Sequence, residues 1–123
     1  MMDRYRKGWA LRYMREAKAE LAAARKMPYM ATSLVLEAIR KARNAIYYSL
    51  GDPAFIEITV REASEKTAVD DPVLRCLIEV EETIQQLAQT EELDGERSIK
   101  QADSLIQLAS DIVETMTGER IED

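Results

Sequence analysis

Apolar residues recur along this chain in steps of three and four rather than two, and they do so in four separate long blocks. In the first block Ala10, Met14, Ala17, Leu21 and Ala24 fall on one face of a helix. Asp3 suits the N-cap of that helix and Pro28 closes it, which predicts a helix from Asp3 to Lys26. A second helix is expected from about Tyr29 to Leu50, stopped by Gly51-Asp52-Pro53. There Gly51 suits a left-handed C′ position, and Asp52 then Pro53 suit the cap and first residue of the next helix. Asp71-Pro72 repeats that signal and opens a helix to about Glu92, with Val73, Leu77, Val80, Ile84 and Leu87 in step. Asp94-Gly95 breaks it. The last helix sets Ile99, Ala102, Ile106, Ala109, Val113 and Met116 on one face, and Gly118 ends it.

One segment reads differently. Phe55-Ile56-Glu57-Ile58-Thr59-Val60 alternates like a strand and is β-branched, yet no other segment offers it a strand partner. A lone strand leaves its backbone groups unpaired, so a short helix through about Glu65 is expected instead. The pattern as a whole predicts an all-α fold over residues 1–123, an up-and-down four-helix bundle with an additional short helix in a single domain.

Composition changes this picture in two ways. The chain has no histidine, which removes Ser-His-Asp and Cys-His nucleophile systems, the usual His-based zinc sites and imidazole acid/base catalysis. The single cysteine, Cys76, allows no intrachain disulfide. It lies one step from the Val73/Leu77/Val80 seam, where a half-buried inert thiol is expected rather than a nucleophile. With no signal peptide evident and no apolar run near the roughly 20 residues that cross a bilayer, a cytoplasmic protein is expected.

Charge is strongly polarised. Residues 1–50 carry eleven Lys/Arg against four Asp/Glu, +7, whereas residues 51–123 carry six against nineteen, −13, for a net −6. The basic half therefore either meets something anionic or lies against the acidic half, within one chain or between chains. On the first helix Arg4, Lys7, Arg12, Arg15, Lys18, Arg25 and Lys26 lie mostly opposite the apolar arc that holds Trp9 and Tyr13. Such a stripe can follow a phosphate backbone, or it can be a solvated face paired with Glu16, Glu20 or the acidic helices. The acids of the last two helices, Glu79, Glu81, Glu82 and Glu91 through Glu114, lie largely outside the apolar registers. They read as a solvated face or a counter-surface rather than a di-iron centre, and no metal or cofactor is expected.

The second helix carries the candidate site. Ala31, Val35, Ala38, Ala42 and Ala45 form a ridge of small residues that admits a neighbouring helix closely. Beside it Leu36, Arg40, Arg43 and Tyr47 share a narrow strip, with Asn44 and Tyr48 to one side. Arg43 and Tyr47, four residues apart, can bring guanidinium and ring together. Two readings of Arg40, Arg43, Asn44, Tyr47 and Tyr48 stand. The strip grips a phosphate and stacks a base, or Tyr47 edges the core while the arginines reach the acidic half.

The chain resembles the HEPN superfamily of small prokaryotic helical bundles. The likeness runs through Ala17-Lys18-Ala19-Glu20-Leu21-Ala22-Ala23-Ala24, the joint Lys26-Met27-Pro28-Tyr29, the stretch from Ala31 to Tyr48, and the closing stretch from Ala102 to Val113. Catalytic members are metal-independent ribonucleases with an Arg-polar-x-x-x-His motif. Arg43-Asn44-Ala45-Ile46-Tyr47-Tyr48 is similar to that motif, with Tyr48 where the histidine would be. The motif normally sits later in the fold, and a tyrosine with a pKa near ~10 is a poor proton shuttle at neutral pH. The resemblance therefore implies a non-catalytic member. It would be a homodimer formed through one apolar helix face, serving as an accessory or antitoxin-like subunit. Its ligand would be a partner protein, a small nucleotidyltransferase or a toxin, or else a nucleotide or RNA. A weak metal-independent ribonuclease using Arg43 and Tyr48 and a purely structural self-assembly module are the alternatives.

Overall fold

The computed structural model describes residues 3–66, 69–89 and 95–121. Those residues form α1 (Arg4–Lys26), a single 3₁₀ turn (Pro28–Met30), α2 (Ala31–Leu50), α3 (Pro53–Ser64), α4 (Pro72–Gln89) and α5 (Gly95–Thr117), with no strand among them. The fold is an all-α bundle of four long helices and a short one.

The starts of α1, α3 and α4 are written in local chemistry, whereas α2 begins after Met30 with no side-chain cap. The Asp3 carboxylate accepts from the amide of Tyr5 at 3.0 Å, and Asp52 accepts from Ala54 at 3.0 Å. Asp71 accepts from both Val73 and Leu74, at 2.8 and 3.2 Å. Each caps donors that the first helical turn leaves unpaired, and removing such a cap costs about 1 kcal/mol. Pro53 and Pro72 then occupy first positions, where a missing N–H costs nothing. The stop signals behave less uniformly. Gly118 is left-handed, with φ 74°, as a glycine after a helix often is. Gly51 is not: its φ of 169° is extended backbone that any residue adopts. The expected left-handed cap is absent there because Asp52 begins the next N-cap at once. The end of the fourth helix near Glu92 and the break at Asp94 lie outside the described residues, and Gly95 is the first residue of α5 rather than part of a loop.

The small-residue ridge does what its composition demands. Ala31, Val35, Ala38, Ala42 and Ala45 are all at most 2% exposed, and α1 and α2 pack side by side along their lengths. Lys41 of α2 meets Glu16 and Glu20 of α1, while Tyr48 meets Trp9 and Tyr13, so the two helices are antiparallel. Lys7 with Glu119, and Arg25 with Asp103, set α5 antiparallel to α1 as well. Hence α2 and α5 run together, and their starts meet: a Cβ on Gly95 would touch that of Ala31 at 3.4 Å.

α2 is the hub, in contact with each of the other four helices. Met14, Val35, Ile39, Ile46, Leu77, Val80 and Val113 fill the centre. The ambiguous segment is helical, as backbone pairing requires: Val60 is buried in α3 and Ile56 packs against the core, leaving Phe55 and Ile58 outside. One register shifts. Met116 is 41% exposed instead of core-facing, and Leu105, Ser110 and Thr117 turn inward on α5. No described helix is long and apolar enough to cross a membrane.

Candidate functional site

The five residues of the α2 strip do not stay together. One residue advances a helix by about 100°, so Tyr47 and Tyr48 leave α2 toward different neighbours. Tyr47 points to α4 and is 4% exposed. Its hydroxyl donates to the Glu81 carboxylate at 2.7 Å, and the same oxygen accepts from the Arg43 guanidinium at 3.4 Å. The Arg43 guanidinium also sits 6.0 Å from the Tyr47 ring centroid, and its Nε donates to Asn44 Oδ1 at 3.4 Å. Arg43, Asn44, Tyr47 and Glu81 thus form a latch between α2 and α4. Burial, then the hydrogen bond to Glu81, drives the Tyr47 hydroxyl well above its ordinary pKa, so it stays protonated.

Beside the latch, α3 closes a cleft of about 150 Å³ lined by Tyr47, Glu57, Arg61, Glu81 and Gln85, with Val60 and Ser64. Its charges are already matched: Arg61 pairs with Glu57 at 3.3 Å, and Arg43 pairs with Glu81. A phosphate entering there would have to displace a carboxylate from each arginine.

Tyr48 takes the opposite direction and joins α1. Its ring lies 6.2 Å from Trp9 and 5.8 Å from Tyr13, both nearly parallel, and Trp9 lies 5.6 Å from Tyr13. Tyr5 extends the group edge-on, 6.3 Å from Trp9, and is 64% exposed. Arg12 covers Trp9 at 5.1 Å, and the Arg6 Nε donates to the Tyr48 carbonyl at 3.1 Å. This aromatic wall was legible only in part. Tyr5, Trp9 and Tyr13 recur at every fourth position and so share a face, but nothing local to Tyr48 marks it as their neighbour. Burial, followed by Tyr13, Tyr5 and Asp52, raises the pKa of Tyr48 as well.

Arg40 alone remains outward: it is exposed and makes no hydrogen bond or ion pair among the described residues. Of the two readings of the strip, the latch has the geometry of the second, with Tyr47 edging the core and Arg43 reaching an acid.

Charge polarity is partly relieved inside one chain. Lys7–Glu119 (3.0 Å), Arg25–Asp103 and Arg43–Glu81 each join the basic half to the acidic half. Lys41 is held within the basic half by Glu20 at 2.6 Å and Glu16 at 3.7 Å, and the hydrogen bond to Glu20 raises its pKa. Arg4, Arg15 and Lys26 are exposed and unpaired among the described residues. Arg15, Lys18 and Arg25 rim a groove of about 320 Å³ between α1 and α5, floored by Leu21 and Ile106.

Cys76 is 3% exposed, and burial pushes its thiol from the ordinary 9.0 up to about 11, so it is a protonated core residue at neutral pH. Three or more metal-binding side chains do not converge anywhere among the described residues. Comparison of the chain with protein-family models, with curated proteins and with solved structures finds no match in any of the three.

Proposed function

We propose that the chain is a non-enzymatic accessory bundle, HEPN-like in arrangement, that acts by engaging a partner protein, with a small nucleotidyltransferase or a toxin as the class of partner. The observation that carries this reading is the separation of Arg43 from Tyr48. A ribonuclease site would need a phosphate-binding arginine and a proton-transfer group facing one phosphodiester. Here Arg43 is neutralised by Glu81 on the α4 side, and Tyr48 is stacked on α1 with its pKa raised. Neither is placed to serve the other. Arg40, exposed and unpaired among the described residues, is the member of the strip left for a partner's carboxylate.

Affinity capture of the tagged chain at low salt tests this, with the captured proteins identified by mass spectrometry. Specific recovery of a nucleotidyltransferase or toxin-like protein, lost in Arg40→Glu but with helicity intact, is the expected result. Metal-independent cleavage of RNA by the purified chain, abolished by Arg43→Gln, would overturn it in favour of the enzyme.

A second reading has its own support in the aromatic wall. Four rings with Arg6 and Arg12 against them have the composition of a base-stacking surface, in which stacking contributes about 1–3 kcal/mol per base. Trp9 is the only tryptophan, so its fluorescence reports on that surface alone. Saturable quenching by a nucleotide or a short single-stranded RNA, weakened by salt, would favour the nucleotide-binding form of the proposal. Unchanged emission would remove it.

A further inference from the structure

We infer that the groove between α1 and α5 is a binding site for a small amphipathic anion, a carboxylate carried on an apolar body. The groove holds about 320 Å³, at the small end of the range for ligand pockets, and both helices contribute to leaving it open. On α1, Ala19 and Ala22 are exposed and too short to fill the space beside α5. On α5, the two polar side chains of the facing wall are already engaged: Asp103 with Arg25, and Gln107 with Asp111, to which it donates at 3.1 Å. Leu21 and Ile106 form the floor, each 3% exposed. The packing of the bundle thus leaves an apolar trough with a charged rim.

Charge selects the occupant and sets its direction. Both acids of α1, Glu16 and Glu20, are turned to α2, where they hold Lys41, so no acid of α1 neutralises the rim. Arg25, at one end of the groove, is matched by Asp103. Arg15, at the other, is exposed and makes no hydrogen bond or ion pair among the described residues, and Lys18 stands half-buried one turn from it. Ten residues separate the two arginines, a rise of about 15 Å, so positive charge is concentrated at the Arg15 end. A planar guanidinium can donate two parallel hydrogen bonds to one carboxylate. An apolar body attached to that head would lie over Ala19 and Ala22 toward the Arg25–Asp103 pair, which carries no net charge. A bare inorganic anion leaves the trough unfilled, and an uncharged hydrocarbon leaves Arg15 unmatched. The amphipathic anion uses both. This site is separate from the surfaces considered above. Arg40, on α2, does not line it, and nine residues at about 100° each set Trp9 about 180° from Lys18 around α1.

Titration of the isotope-labelled full chain with octanoate, followed by backbone amide shifts in NMR, tests the inference. Saturable shifts are expected at millimolar octanoate, centred on residues 15–25 of α1 and 103–107 of α5, with Trp9 fluorescence unchanged. Acetate, which has the head without the body, and octylamine, which is cationic at neutral pH, should each bind more weakly by about tenfold or more. Arg15→Glu is expected to weaken octanoate binding by about tenfold or more, the worth of a lost charge-assisted hydrogen bond. Ala22→Leu leaves every charge in place and fills the trough, and it should weaken binding as much. Arg4→Glu, at an exposed cation of α1 outside the groove, should leave it unchanged. All three positions are exposed and the new residues are good helix formers, so helicity should not change. Absence of saturation at millimolar octanoate would overturn the inference. So would acetate binding as tightly as octanoate, or binding that survives either substitution in the groove. Shifts confined to the Trp9 side of α1 would also overturn it, by moving the ligand to the aromatic wall. Because no partner protein is involved, these outcomes are independent of affinity capture through Arg40.

Discussion

Tyr47 and Tyr48 are the same residue in consecutive positions of one helix, and the bundle uses opposite ends of them. Tyr47 is used by its hydroxyl, which ties α2 to α4 through Glu81 while the ring is enclosed. Tyr48 is used by its ring, which tiles against Trp9 and Tyr13 on α1, and its hydroxyl makes no hydrogen bond among the described residues. A single helical step thus separates a polar latch from an aromatic wall. The lesson concerns motifs: residues that sit side by side in a sequence pattern share a site only if the helix turns them toward the same neighbour.

The comparison breaks most visibly by truncation. Tyr47→Ala empties a buried site and strips Glu81 of a donor, and it should cost about 3–5 kcal/mol in urea denaturation. Tyr48→Ala removes a half-buried ring from a stack that keeps Trp9 and Tyr13, so a loss nearer about 2 kcal/mol is expected. Equal losses would mean that the two interfaces are not as different as their burial implies.

Removing only the hydroxyls sharpens the contrast. Tyr47→Phe should cost about 1–1.5 kcal/mol, the usual worth of a hydrogen bond, and somewhat more if Glu81 is left short of donors. Tyr48→Phe should fall within about 0.5 kcal/mol of the parent. A measurable cost at Tyr48 would show that its hydroxyl has a partner.

Alkali gives the smallest and most selective effect. The pKa of Tyr47 is raised in the folded state, so the stability it contributes is fully present below the ordinary value of 10.0. That contribution is lost as pH climbs through the higher folded value. Cys76 acts in the same direction: its share is complete below 9.0 and disappears as pH rises through about 11. Stability should hold level from neutral pH to about 9 and then decline. In Tyr47→Phe the decline above pH 10 should be shallower, which denaturation at a series of alkaline pH values would record.

How much of this could be read in advance follows from the range of the forces involved. Helix starts at Asp3, Asp52 and Asp71 were legible because a cap is made within three residues of itself. The core faces of α1 and α2 were legible because periodicity alone decides which side is apolar. Gly51 misled because a glycine after a helix only permits a left-handed turn, and the following cap needed an extended one. Met116 misled because, near a helix end, inward and outward registers differ by one step, and Thr117 took the inner place. The strip Arg40–Tyr48 was correctly placed on α2 but not partitioned. Which rung meets Glu81 and which meets Trp9 depends on where α4 and α1 lie, and a helical wheel of α2 contains no information about either.

Cys76 carries a consequence of a different kind. A lone thiol locked in the core and held protonated is invisible to thiol reagents while α4 is seated, and reactive once that helix lifts away. The rate at which a reagent in excess labels the native chain therefore times the opening of α4. A faster rate in Tyr47→Phe would register the Glu81 latch letting go. The molecule comes with its own clock on the helix that closes the bundle, and no probe has to be built into it.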